Sequence, residues 1–394
     1  MNIFQDTSRI LISCQKMLGA ALASEVKALG YETANETPSV VEIRGTMDDC
    51  FILNLHLRTA SQVLYHIRSF HAENAEELYQ KARNIYWEDI LLPDVYFSIT
   101  GYVNNETVNN SMYANVKLKD AIVDRMREKF NSRPSSGNML DKAAVHLHWN
   151  RSYAEIFVNT SGESLARHGF RKIPGTAPLQ EALAAAIILS TKWDQASAFI
   201  NPMCGSGTLA IEAALIAANI PPGYFRKNYA FMHLKNYNEK KYQDCRKRML
   251  AQTKKEALPQ IVCSDISSSA VQIAKLNARA AGVYDFIKFE VCDFRDTTII
   301  PDQAGVVVLN PEYGERLGEV EELEGVYTEI GDFFKKHCTG YTGYVFSGNL
   351  DLLKNIGLKH KRKIPFMSAK IECKLMEYEL YSGSKKIKEQ SVQD

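Results

Sequence analysis

An apolar run, Gly305-Val306-Val307-Val308-Leu309, leads directly into Asn310-Pro311-Glu312-Tyr313. These residue types suit work on an exocyclic base amine, a poor nucleophile because its lone pair is delocalised into the ring. The Asn310 side-chain carbonyl and the Pro311 main-chain carbonyl can each accept one amine hydrogen. That helps the nitrogen become tetrahedral as it attacks a methyl group. Tyr313 can stack on a base turned out of its helix, a step costing a few kcal/mol. A sulfonium methyl donor is itself a strong electrophile, so positioning does most of the catalysis and the chemistry needs no metal. An ordinary Asn-Pro turn with a packed tyrosine is the bland alternative.

A partner for this motif lies upstream. Residues 198 to 217, AFINPMCGSGTLAIEAALIA, read as strand, glycine turn and apolar helix. Glycines between a strand and a helix let the backbone approach a ligand at the carboxyl edge of a sheet. Neither the lysine of a phosphate-binding loop nor the third glycine of a dinucleotide site is present, which points away from ATP and NAD. The next strand ends in Asp265, placed to accept hydrogen bonds from ribose hydroxyls, and the one after ends Val291-Cys292-Asp293-Phe294. Asp293 could accept an adenine amine, with Phe294 beside the ring. A turn cap is the alternative for either carboxylate taken alone.

The elements that must position these residues alternate as strands and helices from about Gly162 onward, predicting a doubly wound, mostly parallel sheet. Helices are expected over Pro178–Trp193, Thr208–Asn219 and Ser268–Ala281, and strands over Ala198–Pro202, Gln260–Asp265, Ile287–Cys292 and Gly305–Asn310. The earlier residues read as α+β. Strand-like runs at Ile10–Ser13 and Val40–Ile43 flank a helix from Gly19 to Leu29, and further strand and helix candidates follow.

The 394 residues suit two or three domains, and no apolar run is long enough to cross a bilayer. The amino-terminal residues lack a secretory pattern. Eight scattered cysteines form no Cys-x-x-Cys pair, which argues against a zinc site or a disulfide framework and fits the cytoplasm. His146 and His148 could share a strand face but have no carboxylate or cysteine pattern beside them, so no metal is expected. The net charge of +1 hides two basic stretches. Between Tyr224 and Lys255 ten Lys or Arg, among them Arg226, Lys227, Arg246, Lys247 and Arg248, alternate with aromatic residues against two acids. Lys117 to Arg151 holds eight basic residues against four acids. Such mixtures suit phosphate contact with base stacking, or equally a solvated helix face with half-buried tyrosines. The first stretch also accounts for the distance from Gly207 to Asp265, far more than the ~20 residues usual between glycine turn and ribose acid. It is therefore expected to border the active site and grip RNA. Lys359-His360-Lys361-Arg362-Lys363 reads as a solvated surface loop.

Taken in order, NPMCGSGT, SDIS, CDF, NPEYGERL and IECKLMEYELY resemble the class I RNA methyltransferases that carry a THUMP domain. They are most similar to bacterial large-subunit (23S) ribosomal RNA guanine-N2 methyltransferases. LHLRTASQVLYHI, GESLARHGFR and Ala177-Pro178-Leu179-Gln180-Glu181 extend the likeness over nearly the whole chain. The resemblance implies an α/β protein whose Rossmann-like methyltransferase domain, 163–394, follows an α+β region made of a ferredoxin-like subdomain, 1–60, and an RNA-binding THUMP domain, 61–162. It implies S-adenosyl-L-methionine as cofactor, with methionyl contacts near Asn201, Pro202, Cys204, Gly205 and Gly207. Ribose would meet Asp265 and adenine Asp293 and Phe294, Ile266 and Asn310 would also touch the cofactor, and the target base would meet Asn310, Pro311 and Tyr313. Pro174-Gly175-Thr176 would close over the cofactor. Glu312 replaces the motif's usual second proline, and either reads the guanine edge or points to solvent. Guanine-N2 of ribosomal RNA is the expected target. Adenine-N6 of RNA or DNA, and a non-catalytic RNA-binding assembly factor, are the alternatives.

Overall fold

Two packing units divide the chain: residues 1–168 with 221–252, and residues 169–220 with 253–394. The computed structural model describes residues 3–381 apart from 109, 174–177, 255, 257, 302–303 and 315–318, and the main chain alone for 319–322. Among the described residues no helix is long and apolar enough to cross a membrane.

In the first unit β1 (Ser8–Cys14), α1 (Gly19–Ala28), β2 (Asn35–Glu36), β3 (Val40–Gly45), α2 (Met47–His56) and β4 (Ala60–His71) are followed by α3 (Ala75–Arg83), β5 (Phe97–Asn104), α4 (Ser111–Phe130), β6 (Ser136–Gly137), β7 (Ala143–Asn150) and β8 (Tyr153–Asn159). The strands form one sheet in the order β2-β3-β1-β4-β8-β7-β5-β6. The long strand β4 makes it continuous: residues from Ala60 to Tyr65 pair with β1, and Leu64 to His71 pair with β8. A boundary expected at residue 60 thus falls at the start of a strand that both halves share. Alternation explains the burial. Ile10, Ile12 and Cys14 point inward from β1, while Arg9, Leu11 and Ser13 lie on the other face. LHLRTASQVLYHI is not one element, since its first two residues end α2 and its later ones enter β4.

The second unit begins with α5 (Glu181–Ser190), β9 (Ala198–Asn201) and α6 (Thr208–Ala217). The chain then supplies helix α7 (Glu239–Ala251) to the first unit. It returns as β10 (Ile261–Asp265), α8 (Ser268–Ala280), β11 (Ile287–Val291), β12 (Gly305–Leu309), α9 (Glu319–His337), β13 (Thr342–Ser347), α10 (Leu350–Lys354), β14 (Arg362–Ser368) and β15 (Ile371–Glu379). The order is β11-β10-β9-β12-β13-β15-β14, parallel from β11 to β13, with β15 antiparallel to both β13 and β14. β9 is wholly buried and β12 nearly so, as central parallel strands covered on both faces must be. All ten residues of α6 are buried, because TLAIEAALIA has no polar stripe to turn toward water. Each predicted helix and strand here is present, most of them trimmed by a residue or more at an end. Arg362 and Lys363, expected in a solvated loop, open β14 instead, where Arg362 Nε bonds the buried Glu377 carboxylate at 2.6 Å.

The stretch 221–252 packs within the first unit. Its rings are largely core: Tyr229 and Phe231 stack at 5.0 Å, Phe231 lies 4.4 Å from Phe51 of α2, and Tyr242 is 2% exposed. Burial of aromatic surface outweighs any gain from leaving these rings free to stack on bases.

Candidate active site

β9 sits where the chain order reverses, with β10 on one side and β12 on the other. In open parallel sheets the crevice outside the carboxyl ends of such strands binds ligands. Here that edge collects the glycine turn after β9, Asp265 at the end of β10, Asp293 just beyond β11, and Asn310 just beyond β12.

The glycine turn is built from left-handed residues. Met203, Gly205 and Gly207 have φ of 54°, 53° and 78°. A side chain at Gly207 would put Cβ 2.7 Å from the Ala274 Cβ of α8, whereas one at Gly205 would meet none of the described residues within 4 Å. Gly207 is thus required by packing, and Gly205 leaves open space at the sheet edge. The turn is pinned by Cys204 N donating to Ser264 O at 2.9 Å and Gly205 N to Asp265 Oδ2 at 2.9 Å. Asn201 Nδ2 donates to Val308 O at 2.9 Å, which ties β9 to β12, but its buried Oδ1 has no partner among the described residues. Pro202 is buried beside it. Hydrogen bonding to Cys263, with burial, holds the Cys204 thiol protonated.

Asp265 Oδ1 accepts from Ser267 N at 2.9 Å, so each carboxylate oxygen takes one main-chain donor and keeps capacity for a hydroxyl. Ile266, next in the chain, is 72% exposed, an apolar side chain left in water at the sheet edge. Asp293 caps the short turn Phe294–Asp296, and Arg295 grips its carboxylate, Nε to Oδ1 at 2.8 Å and Nη2 to Oδ2 at 2.9 Å. That grip holds the carboxyl below its ordinary range. Phe294 differs from expectation. Its ring is buried and packs edge-on to Phe333 at 5.9 Å, because the turn directs it into the core.

Asn310 carries a second buried side-chain oxygen, Oδ1, with no partner among the described residues. Pro311 is buried, Glu312 exposed, and Tyr313 packs against the core cluster. The loop is fastened by Tyr327 of α9, whose hydroxyl donates to Glu312 O at 3.1 Å and shares a 2.8 Å bond with Ser347. Asn349 Nδ2 reaches Tyr313 O at 3.4 Å. Pro174, Gly175 and Thr176 lie outside the described residues. The residues just before them are held by two side chains that sequence reasoning passed over. Arg171 Nη2 donates to Leu179 O and to Thr208 Oγ1 at 3.0 Å, and buried Asn277 of α8 bonds Lys172 and Ile173. The only signal in the sequence was a polar residue on the apolar face of an amphipathic helix.

Of the basic residues, Arg226 is committed within the first unit. Its guanidinium donates to the carbonyls of Ser161, Glu163, Ser164 and Asn228 and lies 5.0 Å from the Tyr229 ring. These bonds tie down a loop and leave little for a phosphate, contrary to the RNA contact expected of it. Lys227, Lys247 and Arg248 are exposed, and Arg246 is half-buried. Among the described residues no group of three His, Cys, Asp or Glu could hold a metal. His146 bonds Thr100 and His148 bonds Glu155 instead.

The sheet order and the residues gathered at its reversal point define the Rossmann-like fold of class I methyltransferases. Residues 168–377 match the family described as RMKL-like, methyltransferase domain, and the chain belongs to that family. Residues 9–64 match the RlmL ferredoxin-like domain and 72–155 the THUMP domain. A ribosomal RNA large subunit methyltransferase K/L of Syntrophotalea carbinolica is 35% identical over 370 residues, covering 91% of this chain and 52% of that protein. The chain spans about half the length of the curated relatives it matches. Two crystal structures are similar almost end to end. SMU.472 complexed with SAH has a TM-score of 0.86 and 26% identity over 96% of this chain and 99% of the other. A predicted N6-adenine-specific DNA methylase from Listeria monocytogenes has a TM-score of 0.85 and 29% identity over 95% and 97%.

Proposed function

We propose that the chain transfers a methyl group from S-adenosylmethionine to an exocyclic base amine of RNA, and that the amine is guanine-N2 of ribosomal RNA in the cytoplasm. The observation that carries this reading is the orphaned Oδ1 of Asn310. A buried amide oxygen without a donor costs about 1–3 kcal/mol. An amine N–H brought to the carboxyl end of β12 supplies the missing donor. The residues fit the cofactor too: Asp265 offers free acceptor capacity, Ile266 an apolar face, Gly205 open space, and Asn201 Oδ1 an acceptor for the methionyl ammonium.

Bound S-adenosylmethionine supplies a methyl group made electrophilic by positive sulfur. The protein's part is positioning. Asn310 Oδ1 and the Pro311 carbonyl accept the two amine hydrogens, turn the lone pair toward the methyl group and stabilise the positive charge that grows on nitrogen. Tyr313 offers the base a stacking surface worth about 1–3 kcal/mol. The matches to a THUMP domain and to enzymes named for large-subunit ribosomal RNA support RNA as substrate, with Lys247 and Arg248 as phosphate contacts. A second reading, adenine-N6, is favoured by the Listeria relative, since Asn-Pro-x-Tyr serves either amine.

The test is transfer of labelled methyl from S-adenosylmethionine to total RNA from a strain lacking the protein, followed by nucleoside digestion and mass spectrometry. N2-methylguanosine, lost with Asn310→Ala, is expected. N6-methyladenosine would keep the mechanism and overturn the base, and no transfer despite cofactor binding would overturn catalysis.

A further inference from the structure

Asn277 lies in the last turn of α8, 1% exposed, with every hydrogen-bonding position of its side chain used. Oδ1 accepts from Lys172 N at 3.0 Å and Ile173 N at 3.2 Å, and Nδ2 donates to Ile173 O at 3.1 Å and Ser206 O at 3.4 Å. Two N–H groups on one side and two carbonyls on the other fix which end is oxygen, and only a primary amide satisfies both. No helix needs such a residue at this position. Its partners are the main chain just ahead of Pro174 and the glycine turn itself.

The same face of α8 touches the turn a second time. Ala274, three residues earlier and so adjacent on the helix surface, is the contact that forbids a side chain at Gly207. From the other side Arg171 joins residue 171 to Thr208, the first residue of α6, and its Nε lies 3.7 Å from Glu181. Residues 171–173 are thus clamped between α8 and the start of α6, with Ser206 drawn into the clamp by one carbonyl. Met203, a non-glycine residue in the left-handed region, and the conformational freedom of Gly205 and Gly207 make the turn costly to hold without such external bonds.

We propose that Asn277 is a positioning residue for cofactor binding. It holds the 171–173 segment and the Ser206 carbonyl in one arrangement, so that the turn is pre-formed before S-adenosylmethionine arrives. Asn277 touches neither cofactor nor base. Its loss therefore acts through the turn, as ordering that must then accompany binding. This rests on the methyltransferase reading above.

Asn277→Asp keeps the shape but sets a carboxylate oxygen against two carbonyls, and Asn277→Ser removes the bonds with little bulk. Both are compared with the unaltered full chain by calorimetric titration with S-adenosylhomocysteine, by steady-state kinetics and by thermal unfolding. The expected result is a Kd for S-adenosylhomocysteine and a KM for S-adenosylmethionine raised about tenfold or more, equivalent to about 1.4 kcal/mol. At saturating cofactor, kcat and the KM for RNA stay within twofold. If the Asn277→Asp variant does not fold, the Asn277→Ser variant carries the comparison. A folded variant with unchanged cofactor affinity overturns the proposal, as does a lowered kcat with unchanged KM. Unaltered protein that binds no S-adenosylhomocysteine overturns the methyltransferase reading itself.

Discussion

Gly205 and Gly207 sit two residues apart in one turn, both left-handed, yet the structure gives them different reasons for being glycine. Alanine at Gly207 must accept a φ of 78° and place its Cβ 2.7 Å from that of Ala274. A non-glycine residue in the left-handed region costs about 1–2 kcal/mol and overpacking a core about 1–3 kcal/mol more. Gly207→Ala should thus destabilise the second unit by about 2–5 kcal/mol. At roughly 2–4 °C per kcal/mol for a unit of this size, its unfolding should fall by about 4–20 °C. Alanine at Gly205 has the backbone cost alone, about 1–2 kcal/mol, because none of the described residues lies within 4 Å of its Cβ. That methyl group instead projects into the space assigned to the cofactor. Gly205→Ala should unfold within about 8 °C of the unaltered protein but bind S-adenosylhomocysteine at least tenfold more weakly. Differential scanning calorimetry with and without S-adenosylhomocysteine measures both effects in one experiment. Equal losses of stability in the two variants, or unchanged affinity in Gly205→Ala, would refute the division of labour.

Three further outcomes follow from the same geometry. Arg226→Ala should cost the first unit about 1–3 kcal/mol by stripping donors from the carbonyls of Ser161, Glu163 and Ser164, while the salt dependence of RNA binding stays unchanged; chemical denaturation and filter binding at several salt concentrations check the two halves. Glu312→Gln leaves folding intact because the side chain is exposed, and guanine against adenine methylation by that variant tells whether the carboxylate reads the base: equal preference places it in solvent. Burial, with the charge of His148 adding to it, pushes the His146 imidazole down to about 4, so the folded chain refuses a proton that the unfolded chain accepts below ~6.5. Stability is therefore full above that pH and lost as pH falls toward 4, and His146→Asn should make this acid limb shallower in denaturation followed across pH.

Much of the second unit was legible in the sequence because its elements are locally determined. β9 and β12 are unbroken apolar runs, α6 is apolar all round, and glycines mark the turn between strand and helix. The same run of residues places Asp265 and Asn310 at strand ends, so the functional side chains could be named without knowing how the strands are ordered. Strand ends became a site only when the chain order brought β10, β9 and β12 side by side. That is a property of long-range pairing, which no local pattern encodes.

Elsewhere tertiary packing reversed what residue type suggested. Basic residues interleaved with rings look alike whether the rings face bases or a core. Phe51, over 170 residues earlier in the chain, decides the matter by offering Phe231 and Tyr242 a place to bury. Phe294 reads as an adenine neighbour from its place after Asp293, and a single short turn sends it inward. Asn277 carries no motif and matters only because folding sets four main-chain groups around it. The sequence by itself determined which residues could do the chemistry, since that depends on side-chain type and near neighbours. Which of them are exposed, already bonded or held in place was decided by the tertiary structure, because burial and hydrogen bonding depend on partners far away in the chain.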